Sequence, residues 1–223
     1  MSGFTRIYAD ANATVPPLPE VIDAVVAVMK SDAGNPASAH GAGAEARRVV
    51  EAARDEISEL LTGVLREDIV FVSGGTEANN TVLASHRDHQ DATFLVAPVE
   101  HPSVLKPLAV PHREGRLRWL AVDSNGRVEP DSAADHARRA PAGQRIVLAI
   151  QAANGETGIV QPVADVVSAV RRERDDVFVL LDAAQAVGRL GLNLAALEVD
   201  AVGKAAPEDE VAAVLDLGDG VEA

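Results

Sequence analysis

The sequence predicts an α/β fold with a mostly parallel sheet flanked by helices. Short β-branched runs alternate along the chain with alanine-rich segments of helical periodicity. Several of the β-branched runs are apolar at every position, as expected for strands that are covered on both faces. The 223 residues are 47% hydrophobic but only 3% aromatic, so the core of one sizeable domain must consist mostly of Ala, Val, Leu and Ile.

The strands are predicted from apolar runs and the helices from spacing and end signals. Pro19 suits the first turn of a helix, and Gly63 suits a C-terminal cap. Segment 131–143 is expected to be either a helix or a surface connection. The predicted helices are 19–30, 43–63 and 161–174. The predicted strands are 69–72, 93–98, 116–122, 145–151 and 177–183.

Charge and composition exclude several classes of function. A net charge of −14 disfavours binding to nucleic acids and to anionic membrane surfaces. The chain has no apolar run close to the roughly 20 residues of a membrane span. Because residues 1–10 lack the apolar core of a signal peptide, we expect a cytoplasmic location. The chain also has no cysteine, so it cannot itself supply a disulfide, a thiolate metal ligand or a cysteine nucleophile.

Polar residues follow the predicted strands, at the edge where ligands bind parallel sheets. The segment "SGGTEANN" (73–80) opens a helix and offers backbone N–H groups to a phosphate, although a plain strand-to-helix turn has the same pattern. His101, in "VEHPSV", is either a functional side chain or a capping group. The loop "AANGETGIVQP" (152–162) is polar and tight, which turn chemistry alone also explains. The six histidines show no metal-ligand spacing.

Asp182 lies at the end of an apolar strand, in "DAAQAVGR". A carboxylate is costly to bury without a partner, and one suitable partner is the protonated ring nitrogen of pyridoxal phosphate. The alternative is a helix N-cap. Gln185 follows three residues later and would lie nearby if the chain turns. Taken together, a phosphate turn, a histidine, an amide loop and a carboxylate are the components of a pyridoxal phosphate site.

The motifs, in this order, resemble those of the cysteine desulfurases in the class V aminotransferase family. The segments that carry the resemblance are "IYADANATVPPLPEVIDAV", "GNPASAHGAGAEAR", "FVSGGTEANN", "VEHPSVL", "ANGETGIVQP" and "DAAQAVGRL". The resemblance runs from about residue 8 to residue 200. It implies the large-domain fold of fold type I pyridoxal phosphate enzymes.

The resemblance also implies roles for individual residues. Gly75 and Thr76 would hold the cofactor phosphate, and His101 would stack on the pyridine ring. Asp182 would pair with the ring nitrogen, and Gln185 would bond the phenolic oxygen.

Two parts of the chain depart from the family pattern. The family's amide loop has Asn-Asn-Glu, whereas this chain has Asn154 followed by Gly155 and Glu156, which leaves Asn154 as a stand-in. Lys204 aligns with the lysine that forms a Schiff base with the cofactor. The serine and histidine that precede this lysine in the family are missing here, and carboxylates at 208–210 disfavour an anionic cofactor.

The resemblance implies a domain arrangement. Residues 1–217 are expected to form one large domain with an N-terminal arm at 1–15, and 218–223 to be an acidic tail. The family's C-terminal small domain, which carries the cysteine loop, is expected to be absent.

Desulfuration in this family needs both a lysine amine and a cysteine thiolate, so the isolated chain is not expected to be a cysteine desulfurase. The first hypothesis is a non-catalytic or partner-dependent subunit that serves sulfur transfer or iron–sulfur-type metallocluster maturation. It would form a homodimer, or a heterodimer with a desulfurase-like chain, and would contact a sulfur acceptor or scaffold protein. The alternatives are an active pyridoxal phosphate enzyme that uses Lys204 and a binding module for a phosphorylated metabolite. The sequence leaves open whether pyridoxal phosphate is retained.

Overall fold

A computed structural model describes residues 7–32, 34–205 and 212–216 of the chain. A short 3₁₀ helix, Arg66–Asp68, precedes the first strand. The helices are α1 Pro19–Lys30, α2 Gly41–Leu60, α3 Gly75–Arg87, α4 Pro102–Leu105, α5 Ala109–Arg113, α6 Pro130–Arg139, α7 Val163–Glu173 and α8 Leu194–Leu197. The strands are β1 Ile69–Val72, β2 Ala92–Val96, β3 Leu117–Trp119, β4 Arg145–Gln151, β5 Val177–Asp182, β6 Ala201–Ala205 and β7 Ala212–Asp216.

The predicted α/β fold is confirmed, and most element boundaries agree to within one or two residues. The clearest difference is the strand predicted at 116–122, which is only three residues long. Beyond Trp119 the chain leaves the sheet, and Val122 instead forms an isolated antiparallel bridge with Val128. Segment 131–143, for which a helix and a surface connection were both open, contains α6.

Within the described residues the strands form a single sheet in the order β1-β7-β6-β5-β4-β2-β3. Five consecutive strands of the sheet are parallel to one another, namely β6, β5, β4, β2 and β3. Strand β7 runs antiparallel to both β6 and β1, so β1 has the same direction as the other five. The carboxyl ends of all strands except β7 therefore meet at one edge, which we call the carboxyl edge.

Two apolar clusters cover the two faces of the sheet. On one face, side chains of the central strands pack against α6, α7 and α8. On the other face they pack against α3 and α4. We call these the α7 face and the α3 face. The central strands are buried at nearly every position, which accounts for their continuous apolar sequence.

The helix α1 differs from the others because it buries none of its residues. It begins with Pro19 and ends with Lys30 in its last turn, so its own end signals suit a helix. Its apolar side chains nevertheless remain exposed. Among the helices that the structure describes, none combines the length and apolar character needed to cross a bilayer.

Candidate functional site

Asp182 is the last residue of β5 and lies at the centre of the carboxyl edge. It is only 6% exposed. Its carboxylate accepts hydrogen bonds from the Ala184 backbone N–H at 3.1 Å and from Asn79 Nδ2 at 2.8 Å. Burial raises the pKa of Asp182, while these two hydrogen bonds and the charge of His101 act in the opposite direction. Within the described residues no ion pair with Asp182 is present, so this buried carboxylate lacks a cationic partner there.

Asn79 connects Asp182 to the segment that follows β2. The second hydrogen of its Nδ2 is donated to Ser103 Oγ at 3.0 Å. The Ser103 hydroxyl in turn lies 2.8 Å from His101 Nδ1. A continuous polar chain therefore joins the carboxylate on β5 to the histidine that was predicted from the sequence.

His101 is the N-cap residue of α4. Its Nδ1 accepts a hydrogen bond from the Ser103 backbone N–H at 3.1 Å, as expected for a capping side chain. The residue is exposed, so one side of its ring remains available to a ligand. The capping and functional interpretations of His101 are therefore compatible, because the cap fixes the ring beside the polar chain that leads to Asp182.

Glu100 places a second buried carboxyl near Asp182. It is 4% exposed, and neither of its side-chain oxygens has a hydrogen-bond partner in the part of the chain that the structure describes. Burial raises the pKa of Glu100 well above its usual range. The charge of Asp182 raises the pKa of Glu100 further. Burial and the neighbouring charge therefore both favour the neutral form of Glu100.

The predicted phosphate turn lies at the start of α3, on the same edge. Gly75 and Thr76 are its first two helical residues, and Gly74 is the N-cap. The Glu77 carboxylate accepts a hydrogen bond from the Ser73 backbone N–H at 2.6 Å, which lowers the pKa of Glu77. The turn therefore has the backbone geometry of an anion site, but one of its N–H groups is already used by a carboxylate of the chain itself.

Both ends of the Asn154 side-chain amide are hydrogen-bonded within the chain. Its Oδ1 accepts hydrogen bonds from the backbone N–H groups of Glu156 and Thr157, at 3.0 and 2.9 Å. Its Nδ2 donates to the Val99 carbonyl at 3.2 Å. This is the turn chemistry that the sequence also allowed, and it leaves little of the amide for a substrate.

The Gln185 side chain faces the N-terminal arm. Its Nε2 donates to the Asn12 carbonyl at 3.3 Å, and its Oε1 accepts from Arg189. Asn12 also donates to the Gly155 carbonyl at 2.8 Å and accepts from Arg189. A Cβ atom at position 155 would lie 3.2 Å from the Gln185 side chain. Glycine at this position therefore leaves room for Gln185 to lie beside the loop and the arm.

Lys204 lies inside β6, and its side chain leaves the face of the sheet opposite to that of Asp182. The parallel register pairs Asp182 with Gly203, so Lys204 is one residue beyond the paired position. The packing of the preceding residues supports this placement, because Ala201 packs on the α3 face and Val202 on the α7 face. Since faces alternate along a strand, Lys204 lies on the same face as Val202. Burial lowers the pKa of Lys204. The carboxylates at 208–210 lie outside the described residues, as does the acidic tail at 218–223.

The residues at the carboxyl edge fit the non-covalent part of a pyridoxal phosphate site. Asp182 lacks a cationic partner, the His101 ring is exposed, and Gly75 and Thr76 open a helix towards the same edge. Asn79 Oδ1 is an additional buried polar atom without a hydrogen-bond partner in the described residues. Lys204 does not fit, because it is not on the face of Asp182.

Sequence patterns indicated most of this edge but did not single out Asn79, Ser103 or Glu100. A signal for Asn79 was present in the spacing of α3. It stands three, four and seven residues before Val82, Leu83 and His86, all of which are buried. An asparagine on the buried stripe of a helix needs a polar partner, and that partner is Asp182.

Comparison with known proteins identifies the family of this chain. A sequence profile described as aminotransferase class-V matches residues 7–205. The chain belongs to the aminotransferase class-V family. Its resemblance to the cysteine desulfurases is thereby confirmed.

This class-V chain has relatives that are about twice as long. Cysteine desulfurase IscS of Dictyoglomus turgidum is 33% identical over 199 residues, which cover 87% of this chain and 49% of that protein. Selenocysteine lyase of Homo sapiens is 33% identical over 226 residues, which cover 87% of this chain and 50% of that protein. The chain thus spans about half the length of these relatives.

Solved structures support the same assignment of the fold to this class-V chain. A NifS-like protein superposes with a TM-score of 0.84 at 30% identity and covers 95% of this chain and 59% of its own. DndA from Streptomyces lividans superposes with a TM-score of 0.73 at 26% identity and covers 94% and 59%.

Proposed function

We propose that this chain is a cysteine desulfurase-like subunit that does not carry the complete catalytic machinery. It would serve sulfur transfer or iron–sulfur-type metallocluster maturation as a non-catalytic or partner-dependent component. The observation that carries this proposal is the placement of Lys204 on the face of the sheet opposite to Asp182. The absence of cysteine from the 223 residues supports it, since no thiolate nucleophile is available.

The carboxyl edge would bind pyridoxal phosphate without a covalent link. Asp182 would face the ring nitrogen, His101 the ring, and Gly75 and Thr76 the phosphate. When it is bound, pyridoxal phosphate supplies an electron sink for carbanion chemistry. The Glu77 carboxylate at the phosphate turn and the exposed position of His101 favour weak, reversible binding.

A partner chain would complete the site. We propose that residues 1–217 form one large domain with the arm at 1–15, and that this domain pairs with a copy of itself or with an intact desulfurase-like chain. The partner would contribute the lysine and the cysteine that desulfuration requires. A sulfur acceptor or scaffold protein would then contact the pair.

Reduction with borohydride tests this proposal. The purified chain is mixed with pyridoxal phosphate, its visible absorption is recorded, and the reduced protein is digested and mapped. We expect no stable label on any lysine of the chain alone. Covalent label on Lys204 that disappears in Lys204→Ala would overturn the proposal. Lys106→Ala, on the segment that follows His101, is the matched control for non-specific modification.

An active enzyme that uses Lys204 is the second candidate, and one observation favours it. Burial lowers the pKa of Lys204, which increases the neutral and nucleophilic form of its amine. The labelling experiment distinguishes the two candidates directly. Reversible binding in which free inorganic phosphate competes as well as the whole cofactor would instead indicate a phosphometabolite-binding module.

A further inference from the structure

Asn79 lies where four elements of the site meet. It belongs to α3, which begins with the phosphate turn, and it is 1% exposed. Its two N–H groups reach Asp182 at the end of β5 and Ser103 in α4. Its Oδ1 faces Gly203 in β6, where a Cβ atom would lie only 2.1 Å away.

We propose that Asn79 is a positioning residue that fixes the orientation of the Asp182 carboxylate and stabilises its ionised form. This inference goes beyond the proposed function, because it concerns the chain without cofactor or partner. It holds whether or not Lys204 reacts with a cofactor.

The direction of the Asn79 amide is determined by its neighbours. Nδ2 has two hydrogens, and both have acceptors, the Asp182 carboxylate and the Ser103 hydroxyl. Rotating the amide by half a turn would place Oδ1 against the carboxylate and remove the hydrogen bond to Asp182. Oδ1 therefore stays towards Gly203, where it has no hydrogen-bond partner in the described part of the chain.

Gly203 leaves the space that this arrangement needs. A methyl group at Gly203 would overlap Asn79 Oδ1, so any larger residue must displace the amide. The parallel register pairs Gly203 with Asp182 itself. The strand next to β5 thus confines Asn79 from the side opposite to the bond with the carboxylate.

The groups around Asp182 differ in whether they favour its protonated or its ionised form. Burial favours the protonated form of the carboxyl, and the Ala184 backbone N–H and the Asn79 N–H both favour the ionised form. His101 also favours the ionised form, and Glu100 is the other titratable group whose charge interacts with Asp182. The Asn79 N–H is thus a side-chain donor that acts against the effect of burial on Asp182.

Carbon-13 NMR of the apo chain tests the proposal. The protein is labelled at the aspartate carboxyl carbons, and the Asp182 resonance is assigned by its absence from Asp182→Asn. Titration then gives the pKa of Asp182 in the wild type and in Asn79→Leu, which has the same number of side-chain heavy atoms and lacks the N–H donors. We expect the pKa of Asp182 to rise in Asn79→Leu. Ser103→Ala, which removes the second acceptor of the amide, is expected to raise it by a smaller amount.

Gln161→Leu is the matched control, since Gln161 is also a buried amide, 4% exposed, with two hydrogen bonds to the backbone. It should lower stability without moving the pKa of Asp182. The sign of the pKa change separates a positioning role of Asn79 from a packing role. If Asn79 only supported packing, its replacement would admit water to the site, and the pKa of Asp182 would fall. An unchanged or lower pKa in Asn79→Leu overturns the proposal. If Asn79→Leu loses its native spectrum, the same criterion applied to Ser103→Ala decides.

Discussion

At the scale of single residues, Glu100 shows how burial alone can make a carboxyl group pH-sensitive. It is buried next to Asp182, and its oxygens have no hydrogen-bond partner among the described residues. Its pKa in the folded chain is raised well above the ordinary value, which it regains on unfolding. Between these two values the folded chain binds more protons than the unfolded chain, so the free energy of unfolding falls as pH rises.

Glu100→Gln should therefore reduce the loss of stability between about pH 5 and about pH 8. At the lower pH the amide resembles the neutral acid in size, and we expect a difference on the order of 1 kcal/mol. At the higher pH we expect the variant to be the more stable protein, because it carries no group that must ionise. Urea unfolding at several pH values measures this difference.

The control for this prediction is Glu59→Gln, a change of the same type at an exposed position of α2. It should leave the pH profile unchanged. A Glu100→Gln profile parallel to that of the wild type would contradict the prediction. The buried His86, whose pKa is lowered to about 4, titrates equally in all three proteins and cancels in the comparison.

Individual residues differ in how well the sequence predicted them. Asp182 and His101 could be located because a charged or ring side chain directly after an apolar run is conspicuous. Lys204 could be aligned with the family's lysine, but the face of the sheet on which it lies could not be predicted. The direction of a side chain changes with each residue of a strand, so a shift of one residue reverses the face. The partners of Asn154 and Gln185 depend on loop and arm geometry that has no periodic signal.

At the scale of elements, the start of α2 is built against the loop that precedes it. His40 caps the helix by accepting a hydrogen bond from the Gly43 backbone N–H at 3.3 Å. A Cβ atom at Gly43 would lie 2.4 Å from the Ser38 carbonyl oxygen and 2.8 Å from that of Asn35. Backbone atoms cannot yield as the end of a flexible side chain does, so glycine is needed at this position.

Gly43→Ala is expected to destabilise the chain by about 1–3 kcal/mol through overpacking of the loop. Gly41→Ala is the matched control, because a Cβ atom there has no neighbour within 4 Å. It should be neutral or stabilising by about 0.4–1 kcal/mol, since it restricts only the unfolded chain. Urea midpoints and hydrogen exchange of residues 34–47 measure both effects. Equal midpoints for the two variants would show that the loop gives way freely.

Elements with a strong period were predicted closely, and those that depend on distant pairing were not. The apolar strand 145–151 and the helix 19–30 agree with the prediction at both ends. The shortening of β3 reflects the competing bridge between Val122 and Val128. Strand β6 is short and contains Gly203 and Lys204, so its sequence resembles a loop, and its conformation depends on pairing with β5 and β7.

At the scale of the whole molecule, α1 leaves an apolar stripe on the surface. Ile22, Val25, Val26 and Met29 have the spacing of one helix face, and all are exposed, with Met29 at 80%. Apolar groups arranged in this way usually belong to an interface. The residues that would cover this stripe are not among the described contacts.

We expect the isolated chain to self-associate through this stripe at micromolar concentration. Ile22→Gln with Met29→Gln should weaken association by more than about tenfold, because burying each side chain contributes ~1.5–3 kcal/mol. Ala27→Gln, on the polar face of the same helix, is the control and should have no effect. Sedimentation velocity measures the outcome. A wild type that stays monomeric, or equal association in all variants, would contradict the prediction.

The position of β7 has a consequence for the synthesis of the chain. β1 is hydrogen-bonded only to β7 in the sheet, with Ile69 opposite Leu215. A ribosome must therefore translate some 140 further residues before β1 can find its partner. During that time β2, β4 and β5 can already pair with one another. Strand β1, which precedes α3, has no neighbouring strand to pair with. Nascent chains stalled before residue 212 should therefore contain a protease-resistant centre and a protease-sensitive N-terminal third. During this interval chaperones or a partner chain can bind the N-terminal third.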